Sequence, residues 1–117
     1  MISEKEIKVL SDEIEGTQKI LAALGDEVRQ HLILVMMKSG KCTGQRVIDI
    51  AAQTHLSRPA VSHHLQIMKE AGIVKMRREG TKNYYYFDAV DSFDNLIKML
   101  VHAKNIMNQL PDRSGDD

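Results

Sequence analysis

The chain of 117 residues is 43% hydrophobic and 4% aromatic, and its 16 basic and 16 acidic residues give zero net charge. This length predicts one small domain with enough apolar surface for a core. The single cysteine, Cys42, excludes an internal disulfide framework and fits a reducing compartment. Because no run of about 18 apolar residues and no signal-peptide pattern is present, we expect a cytoplasmic protein that does not contact a membrane.

Residues 1–24 carry apolar side chains at helical spacing. The positions follow a 3-4-3-4-3 pattern: Ile7, Leu10, Ile14, Thr17, Leu21 and Leu24. This pattern predicts one helix with a narrow apolar seam, which Gly16 breaks or kinks. Because the seam falls outside the expected compact core, we expect Ile7, Leu10 and Ile14 to pack against a second copy of the chain.

The next predicted helix covers residues 26–39 and is apolar nearly all round. Asp26 and Glu27 favour its start through the helix dipole. An apolar surface on every side predicts a central buried helix. A third helix is predicted near residues 44–54, with Thr43 as its cap.

Residues 57–71 are the most clearly marked helix of the sequence. Ser57 can cap its N-terminus, Pro59 falls in the first turn, where a missing N–H costs nothing, and Gly72 marks its end. Only two residues separate it from the third helix. Two helices joined by so short a turn over residues 44–71 predict a helix-turn-helix, whose second member is the DNA recognition helix.

The predicted recognition helix has two chemically different faces. Apolar and small residues, together with one histidine, form the inward face: Ala60, Val61, His64, Leu65, Ile67, Met68 and Ala71. Polar residues form the outward face: Arg58, Ser62, His63, Gln66, Lys69 and Glu70. Such donors and acceptors reach base edges and phosphates in a major groove, although a solvated amphipathic helix has the same pattern. The charge favours DNA, since residues 57–82 carry six basic and two acidic side chains.

After the recognition helix, the pattern changes to two short runs typical of β-strands, residues 73–78 and 83–87. They predict a β-hairpin over residues 73–88. Three basic residues lie at or near its tip: Arg77, Arg78 and Lys82. A basic hairpin directly after a recognition helix is typical of a wing that touches the DNA backbone or the minor groove.

The last predicted helix spans residues 91–110 and is closed by Pro111. Its apolar surface includes a heptad-spaced seam: Phe93, Leu96, Leu100, Ala103, Met107 and Leu110. A helix that is apolar over so much of its circumference needs packing partners on two sides, and its own domain can cover only one. We therefore predict a homodimer through residues 1–24 and 91–110. The predicted fold is therefore mainly α with a small β-hairpin. It is one winged helix-turn-helix domain over residues 1–111, with about five helices, a two-stranded wing and a disordered tail at 112–117.

The DNA-binding prediction assigns a role to each polar residue of this surface. Base reading is expected from four residues of the recognition helix, with the first as the guanine reader: Arg58, Ser62, His63 and Gln66. Phosphate contacts are expected from the helix cap, the last helical turn and the wing: Ser57, Lys69, Arg77, Arg78 and Lys82. Pro59 belongs to the same surface. His64 instead points inward, where we expect a neutral, hydrogen-bonded imidazole with a structural role.

Several of these motifs resemble the ArsR/SmtB family of bacterial and archaeal repressors. The similar segments are Leu24-Gly25-Asp26-Glu27-Val28-Arg29, Leu56-Ser57, Ala60-Val61-Ser62-His63-His64-Leu65, Glu70-Ala71-Gly72-Ile73-Val74 and Arg77-Arg78-Glu79-Gly80. The resemblance covers roughly residues 20–90. It implies a homodimer assembled through the terminal helices. Such a dimer binds imperfect inverted repeats in double-stranded DNA and leaves them when an inducer binds.

The sequence departs from this family at both of its metal sites. Arg46 and Ile48 stand where the best-known members carry Cys-x-Cys, and Cys42 lies upstream of that pattern. The second site aligns with four residues, of which only the histidine keeps its family identity: Ala89, Asp91, His102 and Asn105. We therefore predict no metal and no cofactor, and the sequence indicates no particular inducer.

Three other functions compete with a dimeric, operator-binding transcriptional repressor. A winged helix that contacts a protein would present a neutral or apolar recognition surface. A metal-responsive repressor would need its degenerate site, at His102 and Asp91, to retain weak binding. An enzyme is the least favoured, because His63 and His64 have no nearby nucleophile in a suitable setting and the chain has no Gly-rich phosphate loop.

Overall fold

The computed structural model describes residues 2–41 and 43–111. Within these residues the chain forms six helices and one hairpin: α1 Glu4–Gly16, α2 Gln18–Leu24, α3 Glu27–Ser39, α4 Val47–Ala52, α5 Arg58–Glu70, β1 Val74–Glu79, β2 Lys82–Phe87 and α6 Val90–Asn108. The predicted fold class, mainly α with a two-stranded wing, is confirmed. The predicted tail at 112–117 and Cys42 lie outside the described residues.

The helix count differs from the predicted five because the first helix is divided at Thr17. The Thr17 hydroxyl donates to the carbonyl oxygens of Glu13 (3.1 Å) and Ile14 (3.0 Å), and its backbone N–H also donates to Ile14 O. A threonine hydroxyl that hydrogen-bonds to carbonyls of the preceding turn competes with the backbone hydrogen bonds that would continue the helix. Gly16 directly precedes it, which agrees with the break expected there. The chain therefore leaves α1 and begins α2 in a new direction.

The core lies between α2, α3, α4, α5 and the inner face of the wing. Its buried members are Ile20, Ala23, Leu32, Met36, Ile50, Val61, Leu65, Met68, Ala71, Ile73, Val74 and Tyr85. The recognition helix α5 contributes the inward residues that its periodicity predicts. Its packing against α2, α4 and β1 fixes the orientation of its outward face.

The prediction that residues 26–39 form a helix buried on every side is wrong. Only Leu32 and Met36 of α3 are buried, whereas Leu34 is 64% exposed and Met37 is 55% exposed. The helix lies at the edge of the domain and packs on α2 and α4. A domain of this size has too few elements to cover a helix on all sides.

The predicted start of the third helix at residue 44, with Thr43 as its cap, is also wrong. Gln45 forms an antiparallel bridge with Tyr85 of β2, through Gln45 N to Tyr85 O (2.9 Å) and Tyr85 N to Gln45 O (2.8 Å). The backbone is therefore extended as far as Arg46, which caps α4. The Arg46 N–H donates to the Asp49 carboxylate at 3.2 Å. Because this pairing joins two distant parts of the same chain, no local sequence pattern predicts it.

The wing is an antiparallel hairpin in which Val74 pairs with Phe87 and Glu79 pairs with Lys82. Because directly opposite residues share a face, Arg77 and Tyr84 lie together on one side of the hairpin. Val74 and Tyr85 occupy the other side and are buried in the core. The wing is thus anchored at its base, and its tip extends beyond the core.

The terminal helices α1 and α6 pack against each other. Met99 and Ile106, one face of α6, are buried apart from the main core. The His102 ring and the Glu13 carboxylate form a hydrogen bond of 2.5 Å between the two helices, and both side chains are largely buried. Within the described residues, no helix is both long enough and apolar enough to span a membrane.

Candidate nucleic-acid interface

The recognition helix α5 presents the polar face that its sequence predicts. Ser57 caps it, its hydroxyl accepting from Ala60 N at 3.2 Å, and a proline occupies the first turn. All the predicted contact residues of the helix and its cap are exposed: Ser57, Arg58, Pro59, Ser62, His63, Gln66 and Lys69. The structure therefore brings this set together on one surface.

The cations on this face are available to a ligand. Among the described residues, no carboxylate lies within 4 Å of the basic groups of Arg58 or Lys69. Gln66 makes one solvent-exposed hydrogen bond, in which its Nε2 donates to the Glu70 carboxylate at 3.2 Å. An exposed bond of this kind exchanges easily for a base edge. The face thus offers a guanidinium, an ammonium and an amide.

His64 lies beneath this face and has the structural role predicted for it. Arg29 Nη1 lies 3.3 Å from His64 Nδ1. Burial, followed by the charges of Arg29 and His63, lowers the pKa of His64, and Asp26 opposes this effect. A lowered pKa favours the neutral imidazole. The predicted hydrogen-bond partner is present, and the direction of the pKa shift agrees with the predicted neutral ring.

Arg29 joins three elements through its guanidinium, and its side chain is only 12% exposed. Its Nε donates to Ala23 O at 2.9 Å and its Nη2 donates to Ala22 O at 3.0 Å. These bonds satisfy carbonyls at the end of α2, while Nη1 reaches His64 on α5. Asp26, which caps α3 by accepting from Arg29 N at 3.0 Å, has a lowered pKa mainly because of that bond. Sequence reasoning missed this role of Arg29, since its partners are distant in the chain.

One arginine of the wing has protein partners that the sequence did not predict. Arg77 donates from Nε to Glu79 Oε1 at 2.9 Å and from Nη1 to Thr43 O at 2.7 Å, and its guanidinium stacks on Tyr84 at 5.1 Å. A guanidinium with three protein partners braces the wing against the loop before α4. Arg78 and Lys82 are exposed; Arg78 Nε donates only to Gly80 O at 3.0 Å.

A cleft of about 220 Å³ separates the helix-turn-helix from the tip of the wing. We refer to it as the α4–wing cleft, and it is lined by Arg46, Val47, Ile48, Arg58, Thr81, Lys82 and Asn83. Three of these residues are cations that come from three separate segments. Sequence reasoning missed Arg46 as a part of the surface because the helix was expected to start three residues earlier, at residue 44 instead of Val47. The available signal was the basic excess of residues 31–56, three against one.

The residues predicted for a dimer interface fall into two groups. Five are exposed apolar side chains on or near the terminal helices: Ile7, Ile14, Leu100, Met107 and Leu110. Phe93 and Leu96 instead pack, half-buried, on the core of their own domain. Leu10 and Ala103 are half-buried. The first part of the α6 seam therefore packs on its own domain, whereas Leu100, Met107 and Leu110 remain exposed to solvent.

In the region of the degenerate second metal site, the described side chains form a hydrogen bond between the terminal helices. His102 bonds to Glu13, and Asp91 lies exposed in the first turn of α6. In the part of the chain that the structure describes, no three His, Cys, Asp or Glu side chains are placed to share a metal ion.

Comparison with known proteins adds independent information. A family model described as bacterial regulatory protein, arsR family, matches residues 27–76, from α3 into β1. An uncharacterized HTH-type transcriptional regulator of Methanocaldococcus jannaschii is 35% identical over 89 residues, covering 76% of this chain and 96% of the relative. The transcriptional repressor SdpR of Bacillus subtilis is 33% identical over 81 residues, covering 69% and 86% of the two chains.

Solved structures share the fold. The crystal structure of the ArsR family transcriptional regulator RHA00566 has a TM-score of 0.65 at 13% identity and covers 86% of this chain and 96% of that one. The homodimeric winged helix-turn-helix DNA-binding domain Mb0332 from Mycobacterium bovis has a TM-score of 0.55 at 23% identity, covering 95% and 96%.

These relatives are named as a transcriptional regulator and a transcriptional repressor. The sequence similarity extends over almost the whole length of the archaeal regulator. The fold, the exposed polar face of α5 and the anchored wing agree with it. The chain therefore belongs to the ArsR family and is a transcriptional regulator with a winged helix-turn-helix DNA-binding domain.

Proposed function

We propose that this protein is a homodimeric repressor that binds an inverted-repeat operator. The observation that carries the proposal is the face of α5 beside a basic wing. On this face Arg58 and Lys69 are exposed, and neither has a carboxylate partner among the residues that the structure describes. Repression agrees with the names of relatives such as SdpR. A DNA-bound repressor acts in the compartment that holds the DNA, which for these bacterial and archaeal relatives is the cytoplasm.

Base reading is assigned to the residues that project from α5 towards a major groove: Arg58, Ser62, His63 and Gln66. Phosphate contacts are assigned to exposed groups at both ends of the helix and on the wing: Ser57, Lys69, Arg78 and Lys82. Pro59 holds the first turn between them. Arg77 is not assigned a phosphate contact, because its guanidinium already donates to Glu79 on the wing and to Thr43 O.

The dimer is supported by apolar side chains that the single chain leaves open to water. Ile7 and Ile14 lie seven residues apart on α1 and are 48% and 37% exposed. On α6, Leu100 is 51% exposed and Met107 is 66% exposed. A row of large apolar side chains on two packed helices is typical of a surface that a second copy covers. Mb0332, which has the same fold, is homodimeric.

A twofold dimer of this kind would place two recognition helices about 34–36 Å apart, or one turn of DNA. The test is a band-shift titration with duplexes from the region upstream of its own gene, followed by footprinting. We expect protection of two half-sites about 10 base pairs apart centre to centre. Equal affinity for every duplex, or protection of a single half-site, would contradict the proposed operator.

A further inference from the structure

The α4–wing cleft brings together cations that are far apart in the chain. Arg46 caps α4, Arg58 begins α5, and Lys82 begins β2 at the wing tip. The cleft contains no acidic side chain, and its other lining residues are polar or aliphatic. Three convergent positive charges without an anion repel one another in the free protein. An anionic group in the cleft would relieve this repulsion.

The cations that line the cleft differ from two cations of the wing. In the ranges 2–41 and 43–111, Lys75 pairs with Asp88 and Arg77 pairs with Glu79. Across the same ranges, no carboxylate lies within 4 Å of Arg46, Arg58 or Lys82. Lys69 and Arg78 also have no acidic partner in these ranges, but Arg46, Arg58 and Lys82 are the ones that line a common cleft.

The backbone that carries Arg46 is held rigidly against the wing. Its neighbour Gln45 makes two backbone hydrogen bonds to Tyr85 on β2. Gly44 has φ of +112°, and a Cβ there would lie 3.1 Å from the Cβ of Tyr84, so only glycine allows this close approach. The backbone at Arg46 is therefore held in place before any ligand arrives, which lowers the entropic cost of binding.

We propose that the α4–wing cleft binds one backbone phosphate of DNA, held by Arg46 from the helix-turn-helix and by Lys82 from the wing. The inference rests on the proposed function and adds Arg46 to the DNA contacts. A guanidinium and an ammonium donate to separate phosphate oxygens. Arg58, on the same cleft but at the first turn of α5, is then directed to the adjoining base pair. The clamp fixes the register in which Arg58 meets its base.

The salt dependence of binding tests the clamp, using the full-length protein and an operator duplex selected from a random library by the wild type. Each lost phosphate contact lowers the slope of log Kd against log salt by about 0.9, hence by about 1.8 for the two half-sites of a dimer. We expect R46Q/K82Q to lower the slope by this amount. Each single variant should lower it by less, because the remaining cation still contacts the same phosphate. R46K should retain most of the slope.

Ethylation of single phosphates provides a second readout. One ethylated phosphate in each half-site should weaken the wild type and should no longer affect R46Q/K82Q. The charge control is K5Q on α1, an exposed lysine outside the helix-turn-helix and the wing, which should leave the slope unchanged. The Arg46 side chain makes no capping bond, since the bond to Asp49 uses its backbone N–H, so R46Q should fold.

The outcomes separate this inference from the proposed function. Failure of the wild type to select any duplex would contradict the function itself. Selective binding by the wild type together with an unchanged slope in R46Q would overturn the clamp. Competition by millimolar inorganic phosphate at constant ionic strength, seen with the wild type and absent in R46Q, would show a site for free phosphate instead.

Discussion

Arg29 Nη1 lies 3.3 Å from Nδ1 of His64 and joins the start of α3 to the recognition helix. A guanidinium can only donate, so Nδ1 accepts and the ring proton resides on Nε2. Protonation of His64 would remove this acceptor and place a second positive charge beside Arg29. The orientation of α5 is therefore linked to the neutral state of one imidazole.

The first prediction concerns the pH dependence of stability. Burial and the charge of Arg29 lower the pKa of His64 below 6.5. The unfolded chain then binds more protons between the two pKa values, so the contribution of His64 is complete above about pH 6.5 and is lost as pH falls through its folded pKa. We expect urea unfolding to show declining stability below that pH, and H64Q to reduce the decline. The control is H63Q at the exposed neighbour, and an equal reduction there would contradict the assignment.

The second prediction separates base reading from phosphate binding on α5. R58A should weaken binding to the operator by about 1–3 kcal/mol and relax selectivity at one base pair. K69A should weaken binding to operator and random DNA alike, with a lower salt slope. Anisotropy titrations on operator variants measure both effects. If R58A also loses affinity equally on all duplexes, Arg58 contacts a phosphate only.

The third prediction concerns the dimer. The double variant L100E/M107E places two charges on the exposed apolar face of α6 that the second copy would cover. It should therefore be a monomer with a folded winged domain. Affinity for a palindromic site should then fall to that of a half-site. Sedimentation velocity and circular dichroism measure the two properties. L34E is the matched control, because Leu34 is 64% exposed on α3, away from the terminal helices. A monomeric wild type at micromolar concentration would contradict the proposed dimer.

The fourth prediction concerns the junction between the recognition helix and the wing. Gly72 has φ of +77°, its carbonyl accepts from Ser92 Oγ at 3.0 Å, and a Cβ at this position would collide with that hydroxyl. G72A should therefore destabilise the fold by more than the ~1–2 kcal/mol of backbone strain. G80A, where φ is +62° in open space, should show the strain alone. Thermal unfolding measures the difference.

Removal of the obstructing hydroxyl provides a check on that mechanism. In an S92A background a Cβ at Gly72 would be about 3.6 Å from the remaining Cβ, an ordinary contact. The added cost of G72A over G80A should then shrink. A constant difference would show that the Ser92 hydroxyl is not its source.

Much of the interface was predictable because helical periodicity is local. The alternation of apolar and polar residues over 57–71 determines which side chains of α5 face the core, since burial of apolar surface dominates its packing. The same periodicity placed His64 inward and Arg58 outward. The change from helical to strand pattern after Gly72 likewise located the wing to within one residue.

Three features could not be predicted from local pattern. The Gln45 bridge to Tyr85, which shortened α4, joins residues forty positions apart. Arg77 was expected on DNA, and only the fold brings Thr43 within 2.7 Å of it. The apolar surface of α3 resembled that of a central helix, yet Leu34 remains exposed because no element lies over it in the single chain.

The sequence by itself determined the order of elements, the recognition face and the family, because each depends on short-range spacing and residue identity. The tertiary structure decided which of the exposed cations are available. Arg46, Arg58 and Lys82 line one cleft whose described lining has no carboxylate, whereas the Arg77 guanidinium donates to Thr43 O, 34 positions away in the chain. Availability depends on distances between residues far apart in the chain, since electrostatic pairing acts only over a few ångströms at a solvated surface.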